Sequence, residues 1–201
     1  MARKASGFRI EHDSMGELQV PADALWGAQT QRALDNFHIS GRPMPTGFIR
    51  ALALVKASAA VVNGHLGLLE RARADAVMDA ATAIAAGAHI DQFPIDRYQT
   101  GSGTSSNMNA NEVIAHLASS ASELAIHPND HVNLGQSSND VIPTALRVMA
   151  VLGAKHALLP ALVHLRKAID KRARAIGKTV KTGRTHLMDA MPLTFAQEFG
   201  A

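Results

Sequence analysis

The stretch that decides the fold runs from Asn133 to His186, NLGQSSNDVIPTALRVMAVLGAKHALLPALVHLRKAIDKRARAIGKTVKTGRTH. Between Asp140 and Gly177 apolar residues recur at alternating steps of three and four: Ile142, Ala145, Met149, Leu152, Leu159, Leu162, Leu165, Ile169, Ala173 and Ile176, with His156 on the same stripe. That is the period of a helix with one apolar seam. Pro143 falls in the first turn, where a missing N–H costs nothing, and Pro160 is expected to kink the rod without ending it. Roughly 36 helical residues at 1.5 Å each span about 54 Å, well beyond an ordinary globular helix. Polar clusters flank the rod, Gln136-Ser137-Ser138-Asn139-Asp140 before it and Gly183-Arg184-Thr185-His186 after it. One extended copy cannot join clusters so far apart. A site made of both calls for antiparallel helices from neighbouring subunits.

Working outward, composition fits a mostly helical chain. Aromatics make up 4% of the 201 residues, and alternating Val/Ile/Thr runs are scarce. The net charge of +3 is small, with Arg71, Arg73, Lys167, Lys171 and Arg174 scattered as on solvated helix faces, so a nucleic-acid stripe is not expected. No cysteine is present, which removes disulfides, thiol catalysis and cysteine metal sites. The opening Met1-Ala2-Arg3-Lys4-Ala5-Ser6 lacks an apolar leader, and no uninterrupted apolar run of membrane-spanning length is read. A soluble intracellular protein is the expectation.

Upstream, Phe8–Glu11 reads as extended, followed by an arm bearing Trp26 and a short helix over Ala28–Ala33. Helices are expected from Thr46 (as N-cap) to near Gly64, and from Glu70 to Ala86 before Gly87. A third polar cluster, Thr100-Gly101-Ser102-Gly103-Thr104-Ser105-Ser106-Asn107, opens another helix, with Thr104 or Ser105 as its cap. Hydroxyls and amides at a helix N-terminus form an anion cradle, because free N–H groups and the helix dipole point at the ligand. Absence of Gly-Lys-Ser/Thr and of a preceding strand argues against a nucleotide loop. Asn107 and Asn111 share one face and need partners or a ligand. His127 and His131 have the spacing of a metal pair, but Pro128 and the lack of a third ligand point to a turn or a weak anion contact. Thr194-Phe195-Ala196-Gln197 fits a capping box, yet the sequence stops at Ala201, so part of a longer protein is expected.

Taken together, these motifs resemble the N-terminal part of class II fumarate hydratase, in the fumarase/aspartase superfamily. The likeness rests on Asp13–Glu17, Val20–Gln31, Gln99–Thr104, His127–Asp130, Gln136–Asp140 and Gly183–Leu187, in that order. The resemblance implies a mainly α fold: an N-terminal helical lyase domain over residues 1–135, then the first long helix of a central bundle over 136–201, the remainder of the bundle and the C-terminal domain being absent. It implies dicarboxylate contacts from Ser102, Gly103, Thr104, Ser137, Ser138, Asn139 and Thr185. His186 would be the catalytic acid/base group, and His127, Pro128, Asn129 and Asp130 a secondary substrate site. It further implies a cytoplasmic homotetramer with shared sites, acting on fumarate and L-malate with no metal, cofactor, nucleic acid or membrane.

Two departures stand out. The family's loop Gly-Ser-Ser-x-x-Met-Pro-x-Lys-x-Asn, carrying the serine base, is missing, so negligible turnover is expected of these 201 residues alone. Leu124, Ala125 and Ile126 are apolar where the family often places a basic side chain. Two alternatives remain, aspartate ammonia-lyase and a non-catalytic helical oligomerisation module. Ser138, His186 and His127 side with fumarase over the ammonia-lyase, whose relatives usually show Thr, Gln and Asn there.

Overall fold

In the computed structural model the structure describes residues 7–200, which fall into two compact units dividing after Ala150. The opening Met1–Ser6, read above as free of an apolar leader, lies outside the described residues. Helices dominate, as the composition leads one to expect.

The first unit begins with an antiparallel hairpin, β1 (Phe8–Asp13) and β2 (Gly16–Pro21), where only an extended start is legible in the sequence. Arg9 laces the following arm in place. Its guanidinium donates to the carbonyls of Pro21 (2.9 Å), Ala24 (2.6 Å) and Trp26 (2.5 Å). Four helices follow, α1 (Ala28–Asn36), α2 (Thr46–His65), α3 (Arg71–Ala86) and α4 (Thr104–Ser122). The core joins Phe48, Ile49 and Leu52 of α2 to Val77 and Ile84 of α3 and to Val113 and Ile114 of α4. Alanine lets these helices approach closely: a Cβ at Gly64 would stand 2.9 Å from the Ala74 Cβ.

The helix starts differ from expectation by a residue, whereas the stops near Gly64 and before Gly87 fall as read. Thr46 is the first residue of α2, and Pro45 is its N-cap, whose fixed φ sets the entry of the chain without a side-chain bond. Glu70 likewise caps α3, which ends on Gly87 in the left-handed conformation (φ 112°). Gly103, not Thr104 or Ser105, caps α4 with φ 69°.

Carboxylates buried far from their partners in sequence hold the arm. Glu112 of α4 accepts from the N–H groups of Gly27 (3.0 Å), Gln29 (2.8 Å) and Thr30 (3.0 Å) and from the Thr30 hydroxyl (2.6 Å). It caps α1 from another helix. Asp96 accepts from the Tyr98 N–H, the Ser40 hydroxyl and N–H and the Gly41 N–H, which together hold its carboxyl down at about 2 against the opposing effect of burial.

Helical backbone then runs from Ser138 to Ile176. It comprises α5 (Ser138–Gly153), a π-helical turn at Ala154–Leu158, and α6 (Leu159–Ile176). The wide turn precedes Pro160, whose missing N–H cannot complete a regular ladder. By length and composition alone, Thr46–His65 and Ser138–Ile176 are long and apolar enough to cross a membrane, although polar residues interrupt both, so neither is an uninterrupted apolar run. In α2 part of that apolar surface is turned into the core, whereas Leu159, Leu162 and Leu165 of α6 are exposed.

In the second unit, α6 is followed by an antiparallel hairpin, β3 (Val180–Thr185) and β4 (Met188–Thr194), and by α7 (Phe195–Gly200). The sequence reads as a loop here, because Gly183 and Pro192 disguise the strands. Both strands are edges of a two-stranded ribbon, where proline is tolerated. The capping box forms as expected. Gln197 accepts from the Thr194 N–H (2.8 Å), and Thr194 Oγ1 accepts from the Gln197 N–H (3.3 Å).

Glu112→Ala, which strands the buried Thr30 N–H and the half-buried N–H groups of Gly27 and Gln29, is expected to destabilise the first unit by about 3 kcal/mol, read as a shift in urea midpoint. For Asp96 the folded pKa lies below the ordinary 3.8, so its stabilisation is whole above that pH and is lost as pH falls toward about 2. Asp96→Asn should lower stability at neutral pH and flatten the acid limb of a stability–pH curve between those values.

Candidate functional site

Two of the polar clusters meet in the first unit, at the adjoining first turns of α4 and α5. Gly103 makes the approach possible: a Cβ there would stand 3.0 Å from Ile142, and its positive φ independently favours glycine. Behind the junction, buried Asn107 donates through Nδ2 to Ser138 Oγ (3.0 Å) and to Asn133 Oδ1 (3.1 Å). Ser102, Thr104, Ser137 and Asn139 are exposed, and Ser138 is half-buried. The arrangement is therefore a rim of small neutral donors backed by a buried amide.

The cradle is less open than the sequence leads one to expect. The N–H groups of Ser105 and Ser106 are already taken, by Thr100 Oγ1 (3.3 Å) and Gln99 Oε1 (2.9 Å). The hydroxyls of Ser102 and Thr104 bond one another at 2.8 Å. On α5, Ser137 acts as the cap, its Oγ accepting from the Asn139 N–H at 3.3 Å.

Behind this rim stands Lys56, a residue with no motif to mark it. It is fully buried in α2, and its ammonium donates to Asn133 Oδ1 (2.8 Å) and Gln136 Oε1 (3.0 Å). Burial pushes its pKa down to about 7. The apolar stripe of α2 was legible, but a lysine within it reads as a solvated edge. Asn107 and Asn111, read as needing partners, are both buried, and each retains an Oδ1 without one.

His127 caps a π-helical turn at Pro128–Val132. Its Nδ1 accepts from the Asp130 N–H (3.2 Å) and lies 3.1 Å from the Asp130 carboxylate. One nitrogen cannot accept from the N–H and donate to the carboxylate at once, so protonation would exchange one contact for the other. His131 Nδ1 accepts from the His127 backbone N–H (2.8 Å). His127, Pro128 and Asn129 line a cavity of about 660 Å³ with Arg9, His12 and His116. Burial, then the Arg9 charge, lowers the His116 pKa. Asp130 is exposed and lies outside the lining.

In the second unit Thr185 ends β3, and His186 with Leu187 forms the two-residue turn, with φ of 51° and 62°. Two positive φ values match the twist of a tight hairpin but are strained for non-glycine residues. Local pairing of Thr185 with Met188 pins the imidazole at the exposed tip. A cleft of about 430 Å³ beside it is lined by Lys181, Arg184 and Thr185 but not by His186.

Comparison with known proteins agrees with this architecture. The sequence profile of the lyase family matches residues 16–201. A class II fumarate hydratase of Xylella fastidiosa is 69% identical over 96% of this chain and 41% of its own length. That of Corynebacterium glutamicum is 56% identical over 96% and 41%. Among solved structures, the class II fumarase of Schistosoma mansoni superposes with a TM-score of 0.92 at 39% identity, over 96% of this chain and 42% of that one. The fumarate lyase:delta crystallin of Brucella melitensis in native form gives 0.90 at 42% identity, over 96% and 46%. The chain thus spans about two fifths of the length of the curated relatives it matches. On a profile match across nearly its whole length, and with the fold to agree, the chain belongs to the lyase family that includes the class II fumarate hydratases.

Proposed function

We propose that this chain supplies part of the machinery for reversible addition of water to fumarate, giving L-malate. The observation that carries the reading is the meeting of the Ser102–Thr104 and Ser137–Asn139 clusters through Asn107. Small neutral donors at two adjoining helix N-termini suit a carboxylate whose charge changes during reaction. In the elimination direction a base removes the proton beside one carboxylate, and the resulting dianionic aci-carboxylate is the species to be stabilised. Ser102, Thr104, Ser137, Ser138 and Asn139, with the Gly103 backbone shaping the turn, donate to the substrate carboxylates. Preorganised donors of this kind contribute on the order of 3 kcal/mol each in oxyanion holes.

His186 assists departure of the hydroxyl as general acid, with Thr185 beside it on the substrate. Its place at a rigid hairpin tip favours a group that must be presented to another surface. The serine base falls outside these 201 residues, as does the rest of a homotetramer in which several subunits contribute to each site. Residues 1–135 then form the N-terminal lyase domain, and 136–201 open the central bundle. The uncovered Leu159, Leu162 and Leu165 support that reading. His127–Asp130, on its cavity, forms the secondary dicarboxylate site. The chemistry is acid/base and is assigned to side chains without metal or cofactor, in a cytoplasmic protein.

The longest product of the gene, given fumarate, water and ammonia, should yield L-malate; L-aspartate would assign it to the ammonia-lyases instead, and neither product would remove the enzyme reading. The 201 residues alone should show negligible malate dehydration. In the longest product, His186→Asn should lower kcat by about 10²-fold or more while KM moves far less, whereas Asn139→Ala should damage both.

A further inference from the structure

Most of the polar groups in the first unit are explained by the fold or by the donor rim, but Lys56 is not. A buried ammonium costs several kcal/mol even after relaxation, and among the described residues it has no carboxylate to offset that cost. Its acceptors are two amide oxygens in the segment that leads into Ser137 and Ser138. Their orientation is fixed by the other half of each amide. Gln136 Nε2 donates to the Val132 carbonyl (2.9 Å), and Asn133 Nδ2 donates to the Gln136 carbonyl (3.3 Å), so both oxygens face the lysine. Two turns along α2, Asn63 donates to the Leu134 carbonyl at 3.0 Å. One face of α2 therefore clamps residues 133–136 at three points.

The clamp continues into the rim. Asn133 Oδ1 accepts from Lys56 and also from Asn107, whose other Nδ2 bond goes to Ser138 Oγ. With Asn107 Oδ1 unpartnered, that amide is held in place through Nδ2 alone. Whatever fixes Asn133 thus fixes Asn107 and, through it, the Ser138 hydroxyl. We propose that Lys56 is a positioning residue for the donor rim, acting through Asn133 and Asn107 on Ser138. This rests on the fumarate reading for its catalytic consequence, though not for the clamp itself.

The test has two independent arms. In the 201-residue chain, Lys56→Met should speed amide hydrogen exchange over Asn133–Asp140 by at least about tenfold, with the α2–α3 core peptides unchanged. In the longest gene product, kept folded by circular dichroism, the same change should lower kcat/KM on the order of 10²-fold, the size expected for a displaced donor. Combined with Asn107→Ala it should lower kcat/KM no further, because both cut one chain of contacts. Unchanged exchange in the loop, kinetics within twofold of the parent, or fully additive losses would overturn the proposal. Should Lys56→Met not fold, Asn107→Ala decides by itself: it keeps the clamp and cuts the link to Ser138, so parental kinetics would overturn the proposal and a comparable loss would support it. A parent that does not hydrate fumarate would sink the fumarate reading, while loop exchange would still decide the role of Lys56.

Discussion

A polar group taken out of water must find a partner inside, and α4 is where that constraint organises the first unit. Its inner surface carries Ser106, Asn107, Asn109 and Glu112, all buried, in place of the leucines that a core helix would ordinarily present. Each ties down another stretch of chain, near or far in sequence. Glu112 caps α1, Asn109 donates to the Gln92 carbonyl (3.1 Å), Ser106 bonds the Gln99 side chain, and Asn107 reaches Asn133 and Ser138. Apolar packing among α2, α3 and α4 supplies the driving force for collapse, but it is non-directional. The hydrogen bonds of α4 choose where the loops lie, and those loops carry the candidate site.

The same logic separates rigid from exposed groups at the rim. Ser102, Thr104, Ser137 and Asn139 lie exposed at the rim, while Asn107, which holds half-buried Ser138 from behind, is buried and bonded through Nδ2. The neutral donors are small, so precision must come from behind. Two N–H groups that a simple helix-terminus picture would offer to an anion are instead used to fix the Gln99–Ser106 turn. At the other cluster, His186 gains its definition from backbone strain and strand pairing, not from packing.

Much of the candidate site is legible in the sequence because its residues are local motifs: a glycine-hinged turn before a helix, hydroxyls opening another, and a capping box that forms as written. The β3–β4 hairpin escaped notice because Gly183 and Pro192 break the alternation on which strand recognition depends, and a two-residue His186-Leu187 turn lacks the usual Asn-Gly signal. Cap assignments slipped by one residue for a related reason. Pro45 and Gly103 set the backbone entry by their own dihedral preferences, leaving the hydroxyl beside each of them unused as a cap.

By itself the sequence determined the helical class, a long helix between about Asp140 and Gly177, and the motif order that marks the family, because helix periodicity and turn chemistry are short-range properties. Only the tertiary structure decided that Lys56 lies fully buried against residues 133–136, that Glu112 caps a helix more than 80 positions away, and that Asn107 ties two clusters into one rim. A lysine or glutamate within a helix carries no local mark of its partner. Burial and pairing are set by which segments the collapsed core brings together.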